Sequence, residues 1–267
     1  MILWMKYRFI YFAISGIFLI AGIFSLFKWG LNLGIDFTGG VVAEYQLPSG
    51  EIKSEKFALK TEDEANKIRE DIKKQNGKEL RFEVVGPSIG PELIKKTMYS
   101  LAISASLILV WVAFQFKSFK FGVSATLATL HDSLVLIGGF SLLGHFFGVE
   151  IDFLFVTAVL TILSFSVHDT IVVYDRIREK TKKYDPEFGS DIAKIANSAL
   201  TETMVRSLNN SFTIIIMLLS LVLMGGDSIK WFAVALLIGT ISGTYSSPFV
   251  AVPLLVTWEE MEKKLKK

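Results

Sequence analysis

The chain contains no cysteine, which excludes disulfides and thiolate metal sites and leaves the redox compartment unread. It also has no P-loop for phosphate, no zinc-ligand spacing and no Ser/His/Asp hydrolase signature. No ATP site, metal site or cofactor is therefore expected, and the chain does not read as an enzyme. The net charge of +2 is uninformative, because in a membrane protein the distribution of charge matters more than its sum; no nucleic-acid partner is expected. Lysine and arginine are scarce in two places. Gly144–Glu150 has none, and Gly225–Lys230 has only Lys230.

What the chain does have is apolar length. Its 267 residues are 51% hydrophobic, with a mean hydropathy of +0.48. A bilayer core takes ~20 apolar residues per helix. Six stretches qualify: 9–27, 97–116, 122–144, 152–174, 206–224 and 231–256. The first follows Lys6 and Arg8, but it is too long for a signal-peptide core and no small-x-small cleavage site precedes Lys28, so it reads as an uncleaved helix. Basic residues gather at Lys117 and Lys120, between Arg176 and Lys194, and in the tail from Lys263 to Lys267. Cytoplasmic loops carry such an excess, which predicts cytoplasmic termini and an outer segment after the first helix.

The expected architecture is a polytopic α-helical membrane protein with six transmembrane helices and a small α+β extracytoplasmic domain. Residues 1–28 make the first transmembrane helix and 29–95 the extracytoplasmic domain. Residues 96–258 make a five-helix bundle with a cytoplasmic loop at about 175–205, and 259–267 a cytoplasmic tail. Within the domain, Val41–Leu47 and Leu80–Val85 alternate as strands. Thr61–Gln75 has helical spacing, with Thr61 as cap and Glu64 three residues on; Asn76-Gly77 ends it. This predicts a β-α-β unit, ferredoxin-like in part. Past the fourth helix, Asp175–Lys183 continues as a charged helix. Asp185-Pro186 and Gly189 break it, and Ile192–Thr203 resumes amphipathically.

Two charges lie where charge is costly. Asp169, beside His168, is 17 residues inside the fourth span, or ~26 Å at 1.5 Å per residue, and Arg206 is 19 residues inside the fifth, or ~28 Å. Ionisable groups at such depth mark function by default. They have polar company. Glu202, Arg206, Asn209, Asn210 and Thr213 share one helix face, and Ser166, Asp169 and Thr170 another; His131-Asp132 adds a second pair on the third helix. The proton affinity of an Asp near an Arg depends on their separation, so relative motion of Asp169 and Arg206 would couple proton binding to movement. The histidines serve equally as relays or as packed, hydrogen-bonded residues. Gly239, Gly243, Ser246 and Ser247 form a small-residue packing face, and Pro248 and Pro253 are placed to bend the last helix.

Several segments then resemble a known family. Leu33-Gly34-Ile35-Asp36-Phe37-Thr38-Gly39-Gly40, Val85–Leu93, Ala128–Asp132, Ser166–Glu179 and Leu200–Ser207 are similar, in this order, to the motifs of the SecD/SecF protein-export membrane proteins, of the resistance–nodulation–division superfamily. The resemblance implies a six-helix half-transporter in the cell inner membrane that works with SecD, the Sec translocon channel and the preprotein, driven by the proton gradient. Asp169 and Arg206 match the proton-pathway Asp and Arg; His168, Asp132 and His131 are candidates for the same pathway. His168 stands where the family often has Asn, and Ser207, Asn209 and Asn210 depart from a Thr- and Ile-rich run. Gly34, Gly39 and Gly40 are expected to turn the chain tightly after the first helix, and Asp36 to cap or pin that turn. Two other readings stand beside this one: a small-solute or lipid exporter of the same superfamily, and a passive structural subunit.

Overall fold

The computed structural model describes residues 2–57, 62–74, 76, 78–86, 89–182 and 191–265. Thr61, Gly77, Pro87, Ser88, Lys183, Asp185, Pro186 and Gly189, which carried expectations about caps, breaks and motifs, lie outside them. A 3₁₀ turn, Trp4–Tyr7, leads into α1 (Arg8–Trp29). A lobe follows: α2 (Ile35–Thr38), β1 (Gly40–Gln46), β2 (Ile52–Phe57), α3 (Glu62–Lys74) and β3 (Lys78–Val85). The long helices are α4 (Ile89–Phe116), α5 (Phe119–Phe147), α6 (Phe153–Lys182), α7 (Ile192–Met224) and α8 (Asp227–Ser246). A π-helical segment, Ser247–Ala251, joins α8 to α9 (Val252–Leu265). Among the described residues, six helical stretches are long and apolar enough to cross a membrane, the last running from Ser228 through α9 to Leu265.

The helices are longer than the apolar runs because charged turns continue them. α6 runs on through Arg176, Arg178 and Lys180, and α7 starts a full 14 residues before Arg206. Asp191 caps α7 by accepting from the backbone N–H of Ala193 (3.0 Å) and Lys194 (3.4 Å). Ion pairs tie the ends of these extensions: Arg176 and Lys180 on α6 both hold Glu202 of α7. Lys120 pairs with Glu259, and Arg8 with Glu260.

The lobe departs from a β-α-β unit. Its sheet has the order β2-β1-β3 and both pairings are antiparallel. β2 escapes a period-two reading because Ile52–Phe57 is apolar only at its ends, as suits an exposed edge strand. α3 covers the sheet through Ala65 and Ile72, which pack with Val41, Ala43 and Tyr45. Asn76 takes the expected left-handed conformation (φ 52°).

The outer signature works by close approach. Gly30 and Gly39 have positive φ and end α1 and α2, and Gly40 (φ 144°) starts β1. Gly34, expected to turn the chain, instead has φ −73°. It needs no side chain because its N–H donates to Ile151 O at 2.8 Å, and a Cβ there would sit 3.0 Å from that oxygen. Gly90 does the same for the second signature: its Cβ would fall 2.0 Å from Phe37 O. The two motifs thus meet each other at the lobe–bundle joint. Asp36 also has a different task from the expected one. Its Oδ2 accepts from Phe153 N (2.8 Å) and so caps α6, not its own turn.

Asp152 supplies the second cap of α6, accepting from Phe155 N at 2.8 Å. Burial, and secondarily the nearby Asp36, raise its carboxyl above the ordinary aspartate value, against the bond from Phe155. An acid raised on folding is protonated more readily in the folded state, so stability falls as pH rises through the window between the unfolded and the folded values. Asp152→Asn keeps a good cap. We expect its unfolding midpoint to match the parent at low pH and to exceed it above that window, as read by thermal melts across the acidic range; parallel pH profiles would contradict this.

Candidate functional site

The bundle interior has two apolar clusters, one towards the lobe (Leu136, Phe140, Ile162, Ala235) and one towards the termini (Ala125, Ala128, Val167, Ala251). Polar side chains lie between them, on α5, α6, α7 and α8. Helices approach closely at this level because small residues line the contacts. A Cβ on Gly239 would strike Ile162, and Gly243 lies against Ser166. The small-residue face on α8 therefore packs on α6. Pro248 lies within the π-helical segment and Pro253 just beyond it. Proline lacks the N–H of a regular helical turn, and this segment absorbs the change while directing both Ser246 and Ser247 inward.

Asp169 is 3% exposed and sits on the α6 face towards α7. Its neighbours across the contact are Ser207 and Ser211. Asp169 Oδ2 and Ser211 Oγ are nevertheless buried with no hydrogen-bond partner. The level expected from counting along the two helices agrees with this, since Ser207 follows Arg206 directly.

The side chain of Arg206 is turned elsewhere. It is exposed, and no ion pair joins it to Asp169 among the described residues. One residue along a helix is a rotation of about 100°, so with Ser207 aimed at Asp169 the arginine emerges on the flank of α7. Asn209, Asn210 and Thr213 are exposed with it; Glu202 is drawn instead to Arg176 and Lys180 of α6. His168 is likewise exposed on α6. It lines a groove of about 460 Å³ between α4 and α6, with Ser104, Trp111 and Ser164. Arg206, Asn209, Asn210 and Thr213 thus leave a polar, cationic flank exposed inside the membrane-spanning stretch of α7, while His168 lies in the groove beside α4.

His131 and Asp132 belong to another network. Both are buried on α5, and His131 Nδ1 lies 3.1 Å from Asp132 Oδ1. Ser166, from the same α6 that carries Asp169, donates to Asp132 Oδ2 at 2.6 Å. Ser242 and Ser246 on α8 donate at 2.6 Å each. Thr170 and Ser247 form a further pair, 3.0 Å apart. The serines of α8 went unnoticed as functional residues because serine at helical spacing signals packing far more often than a carboxylate cage. Tyr174, also fully buried, donates to Ser124 Oγ (2.7 Å) and Ala251 O (3.1 Å). His145 stacks on Trp29 at the lobe end.

The chain is similar to known proteins. Residues 64–261 match the family described as protein export membrane protein SecD/SecF, C-terminal, and residues 24–47 match the SecD/SecF GG motif. The protein translocase subunit SecF of Thermobaculum terrenum is 38% identical, over 96% of this chain and 94% of that protein. The protein translocase subunit SecDF of Bacillus subtilis is 30% identical, over 97% of this chain and 38% of its own length. The crystal structure of SecDF from Thermus thermophilus, described as a translocon-associated membrane protein, superposes with a TM-score of 0.82 at 28% identity, over 96% of this chain and 38% of that one. A SecDF structure in the super-membrane-facing form gives 0.77 at 28% identity. This chain spans about two fifths of those SecDF chains, with 39% of the latter covered.

Proposed function

The chain belongs to the SecD/SecF family of protein-export membrane proteins, and from that premise we propose how its buried Asp169 and its uncovered polar flank serve export. It is a multi-pass membrane protein and an auxiliary subunit of the Sec protein-export machinery, and it associates with SecD. The finer reading is that it lies in the cell inner membrane with both termini cytoplasmic, as the basic residues at the termini end favour. The lobe, residues 29–95, then stands on the outer side, near the Sec translocon channel and the emerging preprotein.

In this reading Asp169 takes up and releases protons and Arg206 sets its electrostatic environment, with His168 beside the entry. The observation that carries it is a buried carboxylate with an unpartnered oxygen, next to a polar flank that this chain leaves open. A protonated Asp169 has an O–H to offer Ser211 Oγ; an ionised one needs a donor or a cation brought to it. Arg206 supplies the cation when the flank is covered. SecD is the partner that covers it, since an intramembrane arginine facing lipid is costly and a facing polar helix removes the cost.

Arg206→Met separates this from a purely structural role. Among the described residues Arg206 makes no ion pair, so the melting behaviour of the isolated subunit is expected to stay within about 0.5 kcal/mol of the parent. Export in vesicles containing SecD and the translocon is expected to fall to the level seen without this subunit. Normal export by the variant would refute the assignment of Arg206.

A further inference from the structure

The network around Asp132 is built for more than packing. Asp132 is fully buried. Three hydroxyls, from Ser166, Ser242 and Ser246, each aim their single proton at its two oxygens, all at 2.6 Å. Three hydroxyl donors converging on two carboxylate oxygens are the arrangement that suits a carboxylate anion. A buried anion in a membrane bundle needs a compensating cation. Among the described residues, the ion-pair partner of Asp132 is His131, through Nδ1.

His131 is itself 7% exposed, and its Nε2 is buried with no partner. Across the contact, Ser15 Oγ on α1 is also buried and unpartnered. α1 and α5 run side by side at a constant offset: Gly22 touches Gly138, and Ser25 Oγ meets Ser141 Oγ at 2.7 Å, 116 residues apart. The same offset puts Ser15 level with His131. Ser15 also neighbours the hydroxyl of Tyr245 on α8, which donates to Tyr11 O of α1 at 2.8 Å. Tyr245 and Ser15 thus stand at the level of His131, which is joined through Nδ1 to Asp132 and its serines.

We propose that His131 and Asp132 form a second proton-binding couple, in which Asp132 stays ionised and His131 carries the exchangeable proton, gained and lost at Nε2 on the α1 side. With the proton bound, the couple is an ion pair of zero net charge. On release, imidazolium becomes imidazole, one proton leaves, and the caged carboxylate is left uncompensated. The cage can respond, since Ser246 Oγ also lies 3.3 Å from Gly243 O and adjoins the π-helical segment. The proton state of His131 is thus linked to the joint between α8 and α9.

Other titratable groups lie on the surrounding helices; Tyr174 of α6 donates to Ser124. Asp169 on α6 faces α7, and His168 faces outward. Tyr245 and Tyr11 belong to α8 and α1. On α4, Glu92, Lys95 and Lys96 lie in its first two turns, at the lobe end. On α9, Glu259 and Glu260 are held by Lys120 and Arg8. None of these pairs with the couple among the described residues. The inference deepens the proton-coupled reading of this protein but is decided without it.

The test is nitrogen-15 NMR of histidine-labelled full-length chain in lipid nanodiscs, with His145→Gln and His168→Gln leaving His131 as the one labelled ring. The expected spectrum near neutral pH shows an imidazolium, both nitrogens protonated, which converts to a neutral ring in Asp132→Asn and is unchanged in Asp169→Asn. A neutral His131 in the parent, or an imidazolium that survives Asp132→Asn, overturns the proposal. So does loss of the signal in Asp169→Asn, which would make the two sites one. If Asp132→Asn does not fold, the parent spectrum and Ser242→Ala decide: removing one cage donor is expected to leave the ring an imidazolium, and a neutral ring in either protein refutes the couple. Normal export by Asp169→Asn would sink the proton-coupled reading and leave this measurement standing.

Discussion

Asp169→Asn is expected to abolish proton-coupled export while leaving the fold intact. The substitution is nearly isosteric, and the replaced Oδ2 has no hydrogen-bond partner to lose. An amide nitrogen in its place can donate to Ser211 Oγ, which is also unpartnered. The expected stability change is therefore below about 1 kcal/mol, at the small end of the range for buried substitutions. An amide cannot bind and release a proton near neutral pH, so the functional loss is expected to be complete, not partial. Vesicles holding this subunit, SecD and the translocon, assayed for protease-protected preprotein and for proton flux, give the measurement. Retention of both at parental levels would end the proton-pathway assignment of Asp169. Loss of export with melting unchanged, set beside the same pattern in Arg206→Met, would place the two residues in one mechanism though they do not touch in this chain.

The second large effect is on stability. Gly138→Leu is expected to pry α1 from α5. A Cβ on Gly138 would lie 2.4 Å from Gly22 Cα and 2.9 Å from Gly22 C, both backbone atoms that cannot rotate aside. Relief requires moving a helix, which also parts Ser25 from Ser141. Overpacking of this kind costs about 1–3 kcal/mol. Gly139→Leu is the control, since nothing lies within 4 Å of a Cβ at that position. We expect a clear drop in thermal midpoint for the first and little change for the second. Equal midpoints would show that the α1–α5 contact does not limit stability.

The close contact at Gly138 shows what could be read from residues alone and what could not. Six spans were legible because bilayer thickness fixes the length of an apolar run, and the described residues hold six helical stretches of that kind. The level of Asp169 against α7 was legible too, because a helix advances by a fixed rise and two adjacent spans can be counted from their ends. Helical spacing grouped Ser166 with Asp169 and Thr170, and all three are buried.

Rotation was not legible. Spacing puts Arg206, Asn209 and Asn210 on one face, but it does not say whether that face looks into the bundle or out of it. The tertiary structure turns it outward and gives Ser207 and Ser211 to Asp169. Pairing across the sheet was hidden for a related reason: β3 returns antiparallel beside β1, which depends on how α3 crosses and not on either strand's pattern. The roles of Gly34 and Asp36 were hidden because their partners, Ile151 and Phe153, lie more than 110 residues away. The sequence by itself determined which segments span the membrane and which costly charges they carry, since both follow from local transfer free energy. Only the tertiary structure decided which of those charges meet, which are caged by serines from two other helices, and which are left on an open flank, because these depend on helix rotation and long-range packing.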